Sequence, residues 1–255
     1  MISTTGAYSI FVDTEFTELS QRAELLSIGC ITQSGDIFYG EIEDYDPEKI
    51  NDFVRENVLT KFFGNGTKFL DSKLKIFIQE HRLTTTVFGP FEKVSEAFQK
   101  WVGEIDERLS EYENGKPDIV FVSDVGYYDC VLMIDLLTNH GTSFDLPASV
   151  SPAFIDLTNI AMAVDYKSNF DKTPLFGYNT MATYSRAAFD FNREEKMVEA
   201  INFLYSFVIL DPVLLTMKDL IDSGDDLDSI KHNSLWDAIV CYILTEYYQY
   251  VLSIS

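Results

Sequence analysis

Asp13 and Glu15 stand one residue apart, directly after the apolar run YSIFV at residues 8–12. Side chains alternate in direction along a strand, so these two carboxylates are expected to point the same way. Neighbouring carboxylates repel each other, and a divalent cation removes the conflict because hard cations bind several carboxylate oxygens. The chain holds 41 acidic residues, so the pair alone also fits an ordinary solvated surface. Its place at the end of an apolar strand favours a metal site.

A second acidic motif, SDVGYYD at residues 123–129, follows the apolar stretch Ile119–Val122. Asp124 comes directly after this predicted strand, and Asp129 falls in the first turn of a helix predicted to begin at Tyr127. Either carboxylate could face a metal site at the end of the strand. Asp129 also fits a simpler role, in which its negative charge is stabilised by the positive end of the helix dipole.

The third motif, KHNSLWDAIV at residues 231–240, contains one of the three histidines of the chain. His232 and Asp237 are five residues apart, which puts them on different faces of a regular helix. They converge only if His232 lies on the preceding loop, with Asn233 or Ser234 as the N-cap of the helix. The spacing is compatible with a structural histidine and with a catalytic one.

Taken in chain order, these motifs resemble the DEDDh 3′–5′ exonucleases, and within them a ribonuclease T-like branch of 3′-exoribonucleases from bacteria and phages. The segments that carry the resemblance are DTEFT at 13–17, ELLSIG at 24–29, GDIFY at 35–39, FVRENV at 53–58, VGYYD at 125–129 and HNSLWDA at 232–238. The match to VGYYD favours Asp129 over Asp124. The resemblance covers about residues 8–60, 84–160 and 230–250.

The resemblance implies two divalent cations, Mg²⁺ with Mn²⁺ as a substitute. The implied ligands are Asp13, Glu15, Asp129 and Asp237. Asp13, Glu15 and Asp237 would hold one ion, and Asp13 would share the other with Asp129. Two such ions activate a water and stabilise the leaving 3′ oxygen. His232 would be the general base that takes the proton of this water, since an ordinary histidine pKa near 6.5 suits that task.

The implied substrate is single-stranded RNA or an RNA 3′ overhang, from which nucleoside 5′-monophosphates would be released. Phe16 and Thr17 would contact the terminal nucleotide. DNA remains an alternative substrate, because recognition of the 2′-hydroxyl depends on the shape of the pocket. The resemblance also suggests a homodimer.

Three strands, Tyr8–Val12, Leu25–Thr32 and Ile37–Ile42, predict an antiparallel meander. A helix is predicted next, at Pro47–Asn57, with Ile50, Phe53, Val54 and Val58 on its apolar face. The other predicted helices are at 91–113, 127–140, 194–210 and 214–223, with a last helix from 233 or 234 to about 252. Two further strands are predicted, at 119–122 and 154–157. This order predicts an α/β protein. With the resemblance it implies a ribonuclease H-like fold, in which a mixed sheet of the meander and parallel strands is flanked by helices.

One domain is expected over residues 1–255, with insertions at about 60–83 and 165–228. The second insertion is largely helical and precedes the last helix. The first overlaps the locally basic stretch 60–82, in which four phenylalanines alternate with lysines. Such a stretch can track a single strand of nucleic acid. An amphipathic helix with core phenylalanines explains it more simply, and we favour that interpretation.

The formal net charge of −22 argues against a protein that coats long duplexes, because that mode of binding needs basic surface. The same charge is compatible with one function that is not enzymatic, a non-catalytic acidic protein that mimics the charge of nucleic acid and binds a basic partner. No apolar run is long enough for a membrane span, no signal peptide is recognisable, and the three cysteines lack zinc spacing. We therefore expect a cytoplasmic protein without a membrane partner.

Overall fold

The structure is a computed structural model that describes residues 7–64, 84–112, 115–124, 126–157, 193–205, 212–222 and 232–254. The strands in this part of the chain are β1 Ala7–Phe16, β2 Leu25–Thr32, β3 Ile37–Ile42, β4 Thr84–Gly89, β5 Asp118–Ser123 and β6 Val150–Asp156. The α-helices are α1 Asp52–Asn57, α2 Phe91–Leu109, α3 Gly126–Thr138, α4 Arg193–Tyr205, α5 Pro212–Asp222 and α6 Ser234–Ile254.

The strands form one mixed sheet in the order β4-β3-β2-β1-β5-β6. The β1–β2 and β2–β3 pairs are antiparallel, whereas β3–β4, β1–β5 and β5–β6 are parallel. The predicted α/β class and the antiparallel meander are confirmed, and the architecture is consistent with a ribonuclease H-like fold. The edge strand β4, built on the run TTTVFG, was not predicted.

Helices cover both faces of the sheet. One core lies between the sheet and α2 and α3, and the other lies between the sheet and α4, α5 and α6. Along β1 the side chains alternate between the two cores, with Ile10 and Val12 facing α2 and α3 and Phe11 facing α6. Because Asp13 and Glu15 follow Phe11 at even spacing, they are directed toward the α6 face.

Strand β1 is longer than predicted. Its pairing with β2 continues to Phe16, while its parallel pairing with β5 stops at Phe11 opposite Val122. The prediction that the strand ends at Val12 was therefore wrong. Asp13 and Glu15 lie within the strand, on the part of the β1–β2 hairpin that projects past the carboxyl end of β5.

The helix predicted at Pro47–Asn57 is divided into a 3₁₀ turn, Pro47–Lys49, and α1. Asn51 separates them because its side chain accepts a hydrogen bond from the Val54 N–H and caps α1. The predicted apolar face is buried except at one residue. Phe53 is 57% exposed, contrary to the prediction.

Only parts of the two predicted insertions belong to the described residues. Most of the 60–83 stretch, including its basic and aromatic core, and residues 165–192 lie outside them. Within the second insertion, α4 and α5 are helical as predicted and precede the last helix, and α4 packs against α6. Among the described helices, none combines the length and apolarity needed to cross a bilayer. The single domain and the cytoplasmic location stay predictions.

Candidate metal centre

Six potential ligand residues form two groups at the projecting end of β1. One group is Glu15, His232 and Asp237, and the other is Asp13, Asp124 and Asp129; within each group the ligand atoms lie within 4.8 Å of one another. Asp13 and Glu15 are neighbours on one side of β1, so the two groups adjoin. The structure thus brings the four predicted carboxylates and the predicted histidine together, although they come from three distant segments of the chain.

Asp129 reaches the group from the first turn of α3. Its Oδ1 accepts hydrogen bonds from the Thr14 N–H at 3.0 Å and the Thr14 hydroxyl at 2.6 Å. Its Oδ2 accepts one from the Ser123 hydroxyl at 2.8 Å. The carboxylate therefore joins β1 to the end of β5, and these bonds fix its orientation.

Asp237 and His232 reach the group because the start of α6 lies directly on the backbone of β2. Gly29 pairs with Asp13 across the β1–β2 ladder. A Cβ atom at Gly29 would stand 2.2 Å from the nitrogen of Leu235, so only glycine permits this approach. Beside it, the hydroxyls of Ser27 and Ser234 are hydrogen-bonded at 3.0 Å.

His232 lies on the loop immediately before α6, as the spacing required. Asn233 is the N-cap, since its Oδ1 accepts a hydrogen bond from the Trp236 N–H at 3.3 Å. The backbone of His232 is in the left-handed region, with φ of 62°. Its half-buried ring meets the exposed Phe53 edge to face, with 5.4 Å between ring centroids.

The centre concentrates negative charge in a poorly hydrated place. Burial, followed by repulsion from Asp129, Asp237, Glu15 and Asp124, raises the pKa of Asp13 well above its ordinary value. Burial and the charge of Asp124 raise the pKa of Asp129 to about 7, against the opposing effect of its hydrogen bonds from Thr14 and Ser123. Crowded carboxylates with an adjacent imidazole are the donor set that a divalent cation fits.

The resemblance favoured Asp129 over Asp124. The structure brings both to Asp13, and Asp124 is as buried as Asp129, each being 4% exposed. The signal was present in the sequence, because Asp124 comes directly after a buried strand and the ends of β1 and β5 meet at one edge of the sheet. Matching the motif alone obscured it.

The two residues predicted to contact a nucleotide lie beside the centre in different environments. Phe16 is half-buried and stacks on Tyr128, with ring centroids 5.1 Å apart. Thr17 is fully buried, and its hydroxyl accepts a hydrogen bond from the Glu24 N–H at 3.1 Å. Thr17 thereby closes the β1–β2 connection. Contact of either residue with a nucleotide stays a prediction.

Comparison with known proteins adds one partial likeness. No family model matches the chain. Two curated proteins, each named a 3′-5′ exoribonuclease and found in two strains of Mycobacterium tuberculosis, are 41% identical to it over 66 residues. The match covers 26% of this chain and 39% of each relative, so the chain spans about two fifths of the length of these relatives. The likeness supports a relationship to a nuclease family.

Proposed function

We propose that the chain is a metal-dependent 3′–5′ exoribonuclease of the DEDDh type. It removes nucleoside 5′-monophosphates from the 3′ end of single-stranded RNA or of an RNA 3′ overhang. The observation that carries this proposal is the convergence of Asp13, Glu15, Asp129, Asp237 and His232 at one edge of the sheet. The partial likeness to two proteins named exoribonucleases supports the same class of activity.

Four carboxylates are the proposed ligands of two Mg²⁺ ions, for which Mn²⁺ can substitute: Asp13, Glu15, Asp129 and Asp237. Asp124 is a further candidate, since its carboxylate belongs to the same group as Asp13 and Asp129. Divalent cations in such a centre polarise the scissile phosphate and lower the pKa of a bound water. The protein supplies the negative charge that retains the ions and holds Asp129 rigidly through its bonds to Thr14 and Ser123.

His232 is the proposed general base. It stands beside Glu15 and Asp237 at the margin of the centre, where it can take a proton from the attacking water. As the proton leaves, the water oxygen bonds to phosphorus and the bond to the leaving 3′ oxygen breaks. The carboxylates next to the ring stabilise the imidazolium that results. The neutral imidazole is the form that can accept this proton.

Two other functions remain to be separated from this one. An exodeoxyribonuclease would use the same residues on DNA. A non-catalytic mimic of nucleic-acid charge would use the net charge of −22. The mimic needs acidic groups on the surface, whereas Asp124, Asp129 and Asp237 are buried. That burial favours the enzyme. The homodimer stays a prediction.

The deciding experiment uses 5′-labelled RNA with a single-stranded 3′ tail, and the matching DNA, with Mg²⁺, Mn²⁺ or EDTA. We expect stepwise shortening from the 3′ end and release of 5′-mononucleotides, both abolished by EDTA. Asp13→Asn should lower the rate by a factor on the order of 10²–10³, because it removes the carboxylate shared by both ions. Asp52→Asn is the matched control, since the Asp52 side chain is 91% exposed and lies on α1.

Each outcome separates the candidates. Degradation of RNA in preference to DNA supports the exoribonuclease, and degradation of DNA alone favours the exodeoxyribonuclease. Cleavage that persists in EDTA, or that Asp13→Asn leaves intact, contradicts the metal centre. Failure to cleave either polymer with any metal overturns the enzyme and leaves the charge mimic.

A further inference from the structure

A buried carboxylate outside the metal centre organises a second polar cluster. Glu41 lies on β3 and is 4% exposed. Its Oε1 accepts hydrogen bonds from the Tyr39 hydroxyl at 2.7 Å and from the Phe63 N–H, and its Oε2 accepts one from the Gly64 N–H at 3.0 Å. Glu41 therefore fastens the backbone at residues 63–64 to the sheet.

Asn233 connects this cluster to the loop that carries His232. Its Nδ2 donates to the Lys61 carbonyl at 3.0 Å and lies 3.5 Å from the Tyr39 hydroxyl oxygen, at the limit of a hydrogen bond. Its Oδ1 caps α6 through the Trp236 N–H. The amide nitrogen of Asn233 thus binds the Lys61 backbone, while its oxygen caps the helix.

The backbone of His232 needs such support. The left-handed region is unfavourable for a residue other than glycine, and the φ of His232 is 62°. Strained backbone persists when surrounding contacts determine it, and it is common at functional sites. Asn233 is the next residue along the chain, so its hydrogen bonds constrain the backbone of His232 and thereby the orientation of its side chain.

We propose that Glu41, Tyr39 and Asn233 form a positioning network that holds His232 against Glu15 and Asp237. The inference rests on the proposed function, in which His232 is the general base. The three network residues belong to neither ligand group. They act through His232, so they are positioning residues rather than catalytic ones.

The amide of Asn233 allows positioning to be separated from folding. Asn233→Ser retains an oxygen that can cap α6 but lacks the Nδ2 donor to Lys61. Tyr39→Phe keeps the aromatic packing but removes the hydroxyl group that donates a hydrogen bond to Glu41. Both variants should lower kcat about tenfold and change KM less than about twofold, because the base is misplaced while substrate contacts are kept.

Two matched controls make the same Asn→Ser and Tyr→Phe substitutions at positions outside the network. Asn51→Ser makes the same replacement at the N-cap of α1. Tyr8→Phe removes a buried hydroxyl at the opposite end of β1, where Thr32 and Ser34 are its partners. Both controls should leave kcat unchanged. Melting temperatures of all four variants show whether a loss of kcat merely follows a loss of stability.

A double-mutant cycle with His232→Ala tests whether Asn233 and Tyr39 affect the rate through His232. In this background Asn233→Ser and Tyr39→Phe should change the residual rate less than about twofold, because the group through which they act is gone. An equal loss with and without His232 overturns the proposal. So does an unchanged kcat in the single variants.

The proposal can fail independently of the proposed function. If the wild-type protein releases no nucleotide, the proposed function fails, and the network is then tested by NMR. Asn233→Ser and Tyr39→Phe should shift or broaden the backbone amide and imidazole signals of His232, whereas Tyr8→Phe should not. Unchanged His232 signals in both variants overturn the network.

Discussion

Asp13 is the residue at which the two ligand groups meet. Four other carboxylates, from β1, α3, α6 and the β5–α3 connection, each raise its pKa. Asp13 also pairs with Gly29 in the ladder, so the strand backbone fixes its place. The charge is therefore concentrated by the fold and cannot be relieved by movement of one side chain. A bound cation or a bound proton must offset it.

Asp124 offers a test of this charge at the scale of one residue. Its carboxylate is the largest electrostatic cause, after burial, of the raised pKa of Asp129. Asp124→Asn should therefore stabilise the metal-free protein at pH 7.5 by about 1 kcal/mol and weaken Mn²⁺ binding about tenfold. Thermal unfolding in EDTA measures the first effect, and calorimetric titration with Mn²⁺ measures the second.

Asp118→Asn is the control for Asp124→Asn, since Asp118 is an exposed aspartate at the start of the same strand. It should alter neither quantity. Wild-type affinity for Mn²⁺ in the Asp124 variant would show that this carboxylate lies outside the coordination sphere. A loss of stability in EDTA would contradict the repulsion inferred here.

At the scale of elements, the site depends on how closely α6 approaches β2. Gly29→Ala would bring a Cβ to 2.2 Å from the Leu235 nitrogen and 2.3 Å from its Cα, so the helix must move. Because α6 carries Asp237 and follows His232, we expect loss of nuclease activity. Overpacking should also lower the free energy of unfolding by about 1–3 kcal/mol. Urea denaturation and the RNA assay measure the two effects.

Gly103→Ala is the matched control for Gly29→Ala. Gly103 lies within α2, and a Cβ there would meet nothing within 4 Å. Alanine should stabilise the helix by about 0.5–1 kcal/mol and leave activity unchanged. If Gly29→Ala keeps full activity, α6 need not contact β2 for the centre to form.

Elements specified by local pattern could be predicted from the sequence. The bounds of β2 and β3 follow from their apolar runs and the turn between them. The inward face of α2, which includes Phe98, Trp101 and Ile105, follows from helical spacing. The exposure of Phe53 and the break at Asn51 were not predicted. The apolar spacing continues across Asn51, although this residue separates the 3₁₀ turn from α1.

The assembly of the centre depends on contacts between distant segments. The sequence shows Asp13 and Glu15 at an apolar run, but pairing with β2 extends β1 through them. Asp124 and Asp129 could each be placed near the end of a buried strand from the sequence, but that both approach Asp13 is seen only in the folded chain. Motif order suggested the convergence of five residues, whereas the bonds around Glu41 required the fold.

At the scale of the whole molecule, charge and stability are linked through the candidate metal centre. The net charge is −22, and the centre crowds several of these acidic groups together, with Asp124, Asp129 and Asp237 buried. The net negative charge repels RNA at long range, and the crowded carboxylates of the centre require cations to offset their charge. Bound divalent ions would thus favour both association of the proposed RNA substrate and the folded state.

The metal-free protein should lose stability as pH rises from about 4 to 7. The folded-state pKa of Asp129 is raised from 3.8 to about 7, so in this window the folded state binds more protons than the unfolded state. The free energy of unfolding then falls with pH, by roughly 4 kcal/mol at most for this group. Thermal unfolding in EDTA at constant ionic strength should show the decline. Mg²⁺ should raise the melting temperature more at pH 8 than at pH 5.

Replacing Asp129 isolates its share of that decline from the general repulsion of an acidic protein. Asp129→Asn should flatten the pH dependence in EDTA, because the group that takes up the proton is gone, and it should reduce the stabilisation by Mg²⁺ at pH 8. Asp118→Asn removes the same formal charge at an exposed position and should keep the wild-type slope. A pH dependence that is equal in both variants would mean that repulsion over the whole surface, rather than the centre, governs stability.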